Sequence, residues 1–339
     1  MGPGLKILFA GPLAPWNSTD ARRRALVELG HSVTAVDLSR HRPPGPGLAK
    51  KVVRHLHVGP GIAAYNREVI QQSYALRPDV VWLDQPLQVW PQTLRAIRSS
   101  SGLILGHNSE FIGFRKYWFR HYLRALGLFD VHVVTNELTA SLLQRRGAKK
   151  IVRSGFGYDP PLHRPLVLTE DEGKKYHADA LFVGHWEPTT EAWIVELRRV
   201  GIDARVYGPN WHRATGLTDR RRISTIYGED YVKALCGAKI CLGFLSKWNH
   251  NQASLRTFEI PAAGGFLLAE RTELHRSYYE EGHEAEFFSS SEELVRKSQH
   301  YLANDGARSA IARAGHKRSL SSPYTQKDNV QRILDGLST

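Results

Sequence analysis

Residues 256–270 read RTFEIPAAGGFLLAE. The first half has the composition of a short helix, the glycine pair Gly264-Gly265 stops it, and FLLA is an apolar run of strand length. Glu259 stands between Phe258 and Ile260. An acid with apolar neighbours on both sides does not suit a solvated helix face, so a carboxylate aimed into a cleft is expected there. The fold depends on whether this helix–turn–strand unit recurs.

It recurs along the whole chain. LKILFAG (5–11) reads as a buried strand, Ser18 or Thr19 as a helix cap, and ARRRALVELG as a helix closed by Gly30. SVTAVDL follows as a strand, then residues 79–83, 102–106 and 131–134, with helical periodicity such as WPQTLRAIRSS between them. The linker GFGYDPPLHRP (155–165) interrupts the pattern with prolines and glycines. A second set of strands follows at 180–183, 204–207, 239–243 and 265–268. Two runs of βα alternation in 339 residues predict an α/β chain of two doubly wound, Rossmann-like domains facing a central cleft. The expected division is 1–154, a linker at 155–165, a second domain at 166–322 and a terminal helix at 323–339. Ligands of such sheets collect at the carboxyl ends of the strands.

Composition narrows the function. The formal net charge of +13 favours an anionic partner: nucleotide phosphates, DNA or an acidic membrane surface. The clusters Arg22-Arg23-Arg24, Arg145-Arg146, Lys149-Lys150 and Arg220-Arg221-Arg222 each read as solvated helix faces. No apolar run approaches the roughly 20 residues that span a bilayer. MGPGLKILFAG has no cationic segment followed by a signal-type apolar stretch, so a cytoplasmic protein is expected. Cys236 and Cys241 read as core residues. GPGIAA (59–64) fits a relaxed dinucleotide pattern but does not follow the first strand, and reads better as the cap of the helix IAAYNREVIQQSYAL. No Asp-x-Asp, zinc spacing or Walker sequence occurs, so no metal and no resident cofactor are expected.

Strand ends supply the candidate site. Gly184, His185 and Trp186 follow one strand of the second half, and Tyr207, Gly208 and Trp211 end the next. The glycines would let backbone amides approach an anion, and Trp211 or Tyr207 would stack on a nucleobase. Ser254 lies at the start of the short helix, where unpaired amides attract phosphate, with Arg256 and Lys247 as added cations. Glu259, one turn on, suits a ribose diol. In the first half, Gly11, Asn17, Ser18 and Thr19 form a candidate acceptor or phosphate loop, and His107 and Glu110 in GHNSEF are candidate general bases.

The second half also resembles the CgeB-like (spore maturation protein) branch of the GT-B glycosyltransferases. FVGHWEP (182–188), VYGPNW (206–211), YVKALCGAKICLGFLS (231–246), RTFEIPAAGGFLLAERTELH (256–275), EGHEAEFFSSSEEL and YLANDGARSAIARAGHKR carry the resemblance, which continues more weakly through RPDVVWLDQ (77–85) and GYDPPLHRP. It implies a transferase that uses a nucleoside diphosphate sugar, of hexosyltransferase type and retaining, with the donor on the second domain and the acceptor on the first. It also implies a last helix that crosses back onto the first domain. Related family 4 glycosyltransferases carry two glutamates eight positions apart; Glu259 matches the second, and Asn251 stands where the first would be. Asn249, His250, Asn251 and Gln252 are then candidate neutral partners for sugar hydroxyls. Two other readings remain open: transfer to modified bases in DNA, and a nucleotide-sugar sensor without turnover, which Asn251 keeps alive.

Overall fold

The computed structural model describes residues 4–41, 56–113, 120–219 and 223–338. The chain divides into two compact units, Met1–Gly155 with Gln326–Thr339, and Phe156–Thr325.

The first unit is built on a six-stranded parallel sheet in the order β2-β1-β3-β4-β5-β6. Its strands are β1 (Lys6–Gly11), β2 (Ser32–Asp37), β3 (Val80–Asp84), β4 (Leu103–Asn108), β5 (Val131–Val134) and β6 (Ile151–Arg153). Ile7, Phe9, Trp82, Leu105 and Val133 turn to one face, where they pack with Ala25 and Leu26 of α1 (Ser18–Glu28) and with Val330 and Ile333 of the last helix, Gln326–Ser338. The last helix is also tied to the sheet by Lys150, whose Nζ donates to the Leu337 carbonyl at 3.3 Å. The other face carries Leu8, Val81, Leu83, Ile104 and Val134 against α2 (Pro60–Leu76), α3 (Pro91–Ile97), α4 (Arg120–Arg124) and α5 (Glu137–Arg145). Alternation of neighbouring residues between two covered faces is why the strands read as continuous apolar runs.

The second unit repeats the plan with five parallel strands in the order β11-β10-β9-β7-β8. They are β7 (Ala178–Val183), β8 (Ala204–Tyr207), β9 (Ala238–Gly243), β10 (Leu267–Glu270) and β11 (Glu286–Phe288). The helices are α6 (Glu170–Tyr176), α7 (Pro188–Arg199), α8 (Gly228–Gly237), α9 (Arg256–Ala262), α10 (Glu273–Tyr278), α11 (Ser291–Ala303) and α12 (Asp305–Ser321), which makes the last helix α13.

Both sheets are of the expected α/β doubly wound class, and four local expectations are corrected. Asn17, not Ser18 or Thr19, caps α1: its Oδ1 accepts from Asp20 N at 2.8 Å while its Nδ2 donates to Pro12 O at 2.7 Å. Arg22 is 5 % exposed rather than on a solvated face, and Arg23 and Arg24 both pair with Asp20. The three-residue strands β6 and β11 were not expected. β10 starts at Leu267, two residues later than expected, because Gly264 (φ +79) and Gly265 complete the turn out of α9. The Arg220-Arg221-Arg222 cluster lies outside the described residues. Gly59 (φ +137) does precede α2 as its cap. Among the described residues no helix is long and apolar enough to cross a membrane, and no group of three His, Cys, Asp or Glu could hold a metal ion.

Candidate functional site

In each sheet the strand order reverses once, between β1 and β3 in the first unit and between β7 and β9 in the second. A doubly wound sheet opens a crevice at that point because successive crossovers leave in opposite directions. Each crevice holds an arginine, and the two arginines differ in one respect.

In the first unit Asp84 ends β3 and is 1 % exposed. Arg22 grips it with both arms of its fork, Nε to Oδ2 at 2.8 Å and Nη2 to Oδ1 at 2.9 Å. Thr19 Oγ1 adds a bond of 3.0 Å and Trp82 Nε1 one of 3.3 Å. Burial pushes the Asp84 carboxyl up, yet the Arg22 guanidinium and its two bonds outweigh it and hold it well below the usual carboxylate range. A Cβ on Gly11 would lie 2.8 Å from Asp84 O, so this glycine is required by the close approach of β1 and β3. The candidate acceptor or phosphate loop is otherwise engaged: Asn17 is spent on the helix cap and the Thr19 hydroxyl on Asp84, whose charge Arg22 answers. Ser18 is the first residue of α1 and half-buried.

The two candidate bases sit at the end of β4. His107 is 1 % exposed, lies flat against Trp82 at 6.1 Å between centroids, and brings Nδ1 to 3.4 Å from Asp84 Oδ2 without hydrogen-bond alignment. Burial first, and then the Arg22 charge, lower its pKa, so the ring is neutral at neutral pH. Glu110 is exposed just past the strand; its backbone is tied at both N and O to the Asn108 side chain.

In the second unit the crevice arginine is Arg256, the first residue of α9. Its Nη1 donates to Val183 O at 2.9 Å and its Nη2 to Phe244 O at 3.2 Å, so the guanidinium spans the ends of β7 and β9. The Phe182 ring lies 5.1 Å beneath it. No carboxylate comes within ion-pair distance of it among the described residues, and its covered Nε has no acceptor. Five N–H donors with two occupied leave a cation with spare donors at the place where ligands of this architecture sit. The Ser254 hydroxyl, at the entrance to α9, is likewise buried without a partner.

Glu259 lies one turn further on and is held from two sides. Tyr231 of α8 donates its hydroxyl to Oε2 at 2.8 Å. His163 Nε2 lies 3.5 Å from Oε1, and its Nδ1 accepts from Asp159 N at 3.0 Å, which fixes the proton on Nε2. Burial first, and then the Glu259 charge, raise the Tyr231 pKa, so Tyr231 stays a donor. The carboxylate therefore keeps the lone pairs that these two do not use.

The walls are cross-tied. Glu187, 2 % exposed, joins His185 Nε2 at 2.8 Å to Lys247 N at 2.9 Å, linking the loops after β7 and β9. The His185 ring stacks on Trp248 at 5.6 Å and 20°. Gly208 (φ +141) backs onto Gly184, where a Cβ would stand 2.0 Å from the Gly184 oxygen. These two glycines thus serve backbone packing between β7 and β8.

Four donor-site expectations change. Trp211 is 1 % exposed, with its Nε1 on Gly184 O at 2.9 Å; Asn210 (φ +69) turns the chain so that the indole drops into the core, and no base can stack on it. Trp186, 8 % exposed, donates to Glu191 Oε2 at 2.6 Å and is covered by Arg213. Lys247 Nζ is paired with Glu270, so its charge is already answered. The amides of Thr257, Phe258 and Glu259 donate to Ser254 O and Leu255 O, so the start of α9 offers fewer free N–H groups than a helix terminus suggests. Tyr207 remains half-buried at the end of β8, and Asn251 half-buried in the loop before α9.

Residues 189–335 match a family model described as Glycosyl transferase-like. Among curated proteins the chain has no match. A solved structure of Anabaena Alr3699/HepE in complex with UDP and glucose is similar at 12 % identity and a TM-score of 0.61, covering 98 % of this chain and 99 % of that one. Sucrose-phosphate synthase from Thermosynechococcus elongatus is similar at 11 % identity and 0.63, covering 98 % of each chain. A glycosyltransferase from Rickettsia africae gives 12 % and 0.60, covering 98 % and 97 %. The fold is the GT-B fold: two parallel-sheet, Rossmann-like domains on one chain.

Proposed function

We propose that the protein transfers a sugar from a nucleoside diphosphate sugar, with the donor held by the second unit. The observation that carries this reading is Arg256, a guanidinium with spare donors and no carboxylate, at the β7–β9 crevice. A diphosphate leaving group develops charge as the glycosidic bond breaks, and a fixed cation stabilises it there. Arg256 and the Ser254 hydroxyl do this work in the proposal, so it needs no metal ion. Glu259 accepts the ribose hydroxyls, and the half-buried Tyr207 is the remaining aromatic for the base. The match of residues 189–335 to the Glycosyl transferase-like model supports the reaction class, and the UDP and glucose of the HepE structure support the donor class. The finer assignment, a CgeB-like, retaining hexosyltransferase in the cytoplasm, rests on the motif resemblance from residue 155 onward. Asn249, His250, Asn251 and Gln252 then meet the donor sugar, and Glu110, exposed past β4 where His107 is covered, serves the acceptor in the first unit.

Thermal denaturation with UDP, GDP and TDP tests the reading. A ligand at 100 times its Kd adds about 2.7 kcal/mol. One of the three is expected to raise Tm, and Glu259→Ala to weaken that ligand about tenfold through loss of charge-assisted bonds to the ribose. An unchanged response in Glu259→Ala would remove the ribose assignment.

Tyr231→Phe separates the positioning of Glu259 from its contact. Losing one hydrogen bond to the carboxylate is expected to weaken nucleoside diphosphate binding about fivefold. The 2′,3′-dideoxy analogue should lose nothing, since it lacks the hydroxyls that Glu259 would hold. Equal losses for both ligands in calorimetric titration would show that Tyr231 acts on the fold alone.

A further inference from the structure

The +13 charge is not spread over the molecule. The first unit has 24 lysines and arginines against 11 acids, while the second has 22 of each, so the first carries all of the excess. The donor crevice is in the electrically balanced unit. The crevice arginine of the first unit is neutralised by Asp84. The surplus therefore serves something other than the donor diphosphate.

Among the described residues of the first unit, the unpaired arginines of the helices lie on one side of the sheet. Helices α1 and α13 cover one face with nearly balanced charge: Arg23 and Arg24 pair with Asp20, and α13 carries Lys327 and Arg332 beside Asp328 and Asp335. The opposite face carries α2, α3 and α4, which pack side by side; the Tyr74 hydroxyl joins α2 to α3 through Ala96 O at 3.0 Å. Arg67, Arg77, Arg95 and Arg124 are exposed on these helices and their caps, with Arg120 half-buried among them. None of the five has a carboxylate within ion-pair distance among the described residues. Arg98 pairs with Asp130, and Glu68, the one acid on these three helices, is taken by His41. The local field is felt by His121, whose pKa burial lowers first and the Arg120 and Arg124 charges lower further, against the lift of its bond to Leu56 O.

Apolar side chains stand among these cations. Tyr74 is 52 % exposed and Leu56, whose carbonyl accepts from Arg120 at 2.7 Å, is 43 % exposed. Against a nucleic-acid backbone such groups meet only charge and water. At a bilayer they enter the boundary between headgroups and acyl chains while arginine forks bind lipid phosphates. We propose that the α2–α3–α4 face of the first unit docks on an anionic lipid surface, holding the protein at a membrane that no described helix crosses. The cations act together, each contributing about a fivefold gain near an anionic leaflet, and the contact weakens as salt screens it. This inference does not depend on the donor reading, because these arginines belong to the first unit and the β7–β9 crevice to the second.

Flotation of the whole protein with vesicles tests it, using phosphatidylcholine alone or with about one-third phosphatidylglycerol, near physiological salt. The protein is expected to float with the anionic vesicles only, and to be released as salt is raised. The triple variant Arg67→Gln, Arg95→Gln, Arg124→Gln should bind on the order of 100-fold more weakly. A control of equal charge on the helices of the opposite face, Arg23→Gln, Arg24→Gln, Lys327→Gln, should stay within about twofold of the unaltered protein. Unchanged Tm and an unchanged thermal response to nucleoside diphosphate in the triple variant would show that fold and donor site are intact. Should the triple variant fail to fold, the lipid and salt dependence of the unaltered protein decides. Equal loss in both variants, binding that ignores phosphatidylglycerol, or tighter binding to duplex DNA than to anionic vesicles would each overturn the proposal.

Discussion

Asp84→Asn is expected to lower stability by about 3–5 kcal/mol, read by urea unfolding at neutral pH. The carboxylate lies in the closed crevice of the first unit with the Arg22 guanidinium on both its oxygens, and both side chains are nearly out of solvent. Asparagine keeps the volume but leaves the guanidinium buried and unanswered, and it cannot accept at both positions from Arg22, Thr19 and Trp82. The pH dependence has a definite sign. The folded pKa of Asp84 lies below its unfolded value near 3.9, so the folded state binds fewer protons there. The contribution is complete above about pH 5 and is lost as pH falls through the folded value. The difference between the unaltered protein and the variant should therefore shrink below about pH 4; a difference that grew on acidification would contradict the pairing.

Arg256→Gln should abolish most nucleoside diphosphate binding, on the order of 1,000-fold in Kd, while leaving the nucleoside nearly unchanged. A guanidinium without a carboxylate can give two charge-assisted bonds to a diphosphate, each worth about 1.5–3 kcal/mol. Glutamine retains a donor for one carbonyl but supplies no charge. Arg256 also ties Val183 O to Phe244 O, so the melting temperature must be followed alongside. Arg256→Lys keeps the charge without the fork and should fall between the two. Loss of nucleoside binding in equal measure would indicate collapse of the crevice instead of loss of a phosphate contact.

Much of the fold was legible because buried parallel strands are apolar on both faces, and FLLA, VVWLD and LKILFAG announce themselves. The strands β6 and β11 escaped because three residues at a sheet edge leave no periodicity to read. Within the site, Glu259 was visible as an acid among apolar neighbours, and Arg256 as its companion. The fates of other residues depend on partners far away in the chain. Arg22 looked like one of three surface arginines because Asp84 is 62 residues off, and Lys247 looked free because Glu270 is 23 residues off. Trp211 followed a glycine-proline turn and looked poised for a base. The single φ of Asn210 sends it inward, and no pattern of residue types encodes that angle. Tyr231, His163 and Glu187 were overlooked because each acts on a group brought beside it only by the closed sheet.

The most direct measurement is a crystal structure with a nucleoside diphosphate bound. Phosphate oxygens are expected within about 3 Å of the Arg256 terminal nitrogens, and the ribose hydroxyls on the Glu259 carboxylate. Phosphates bound elsewhere, with Arg256 touching only the carbonyls of Val183 and Phe244, would contradict it.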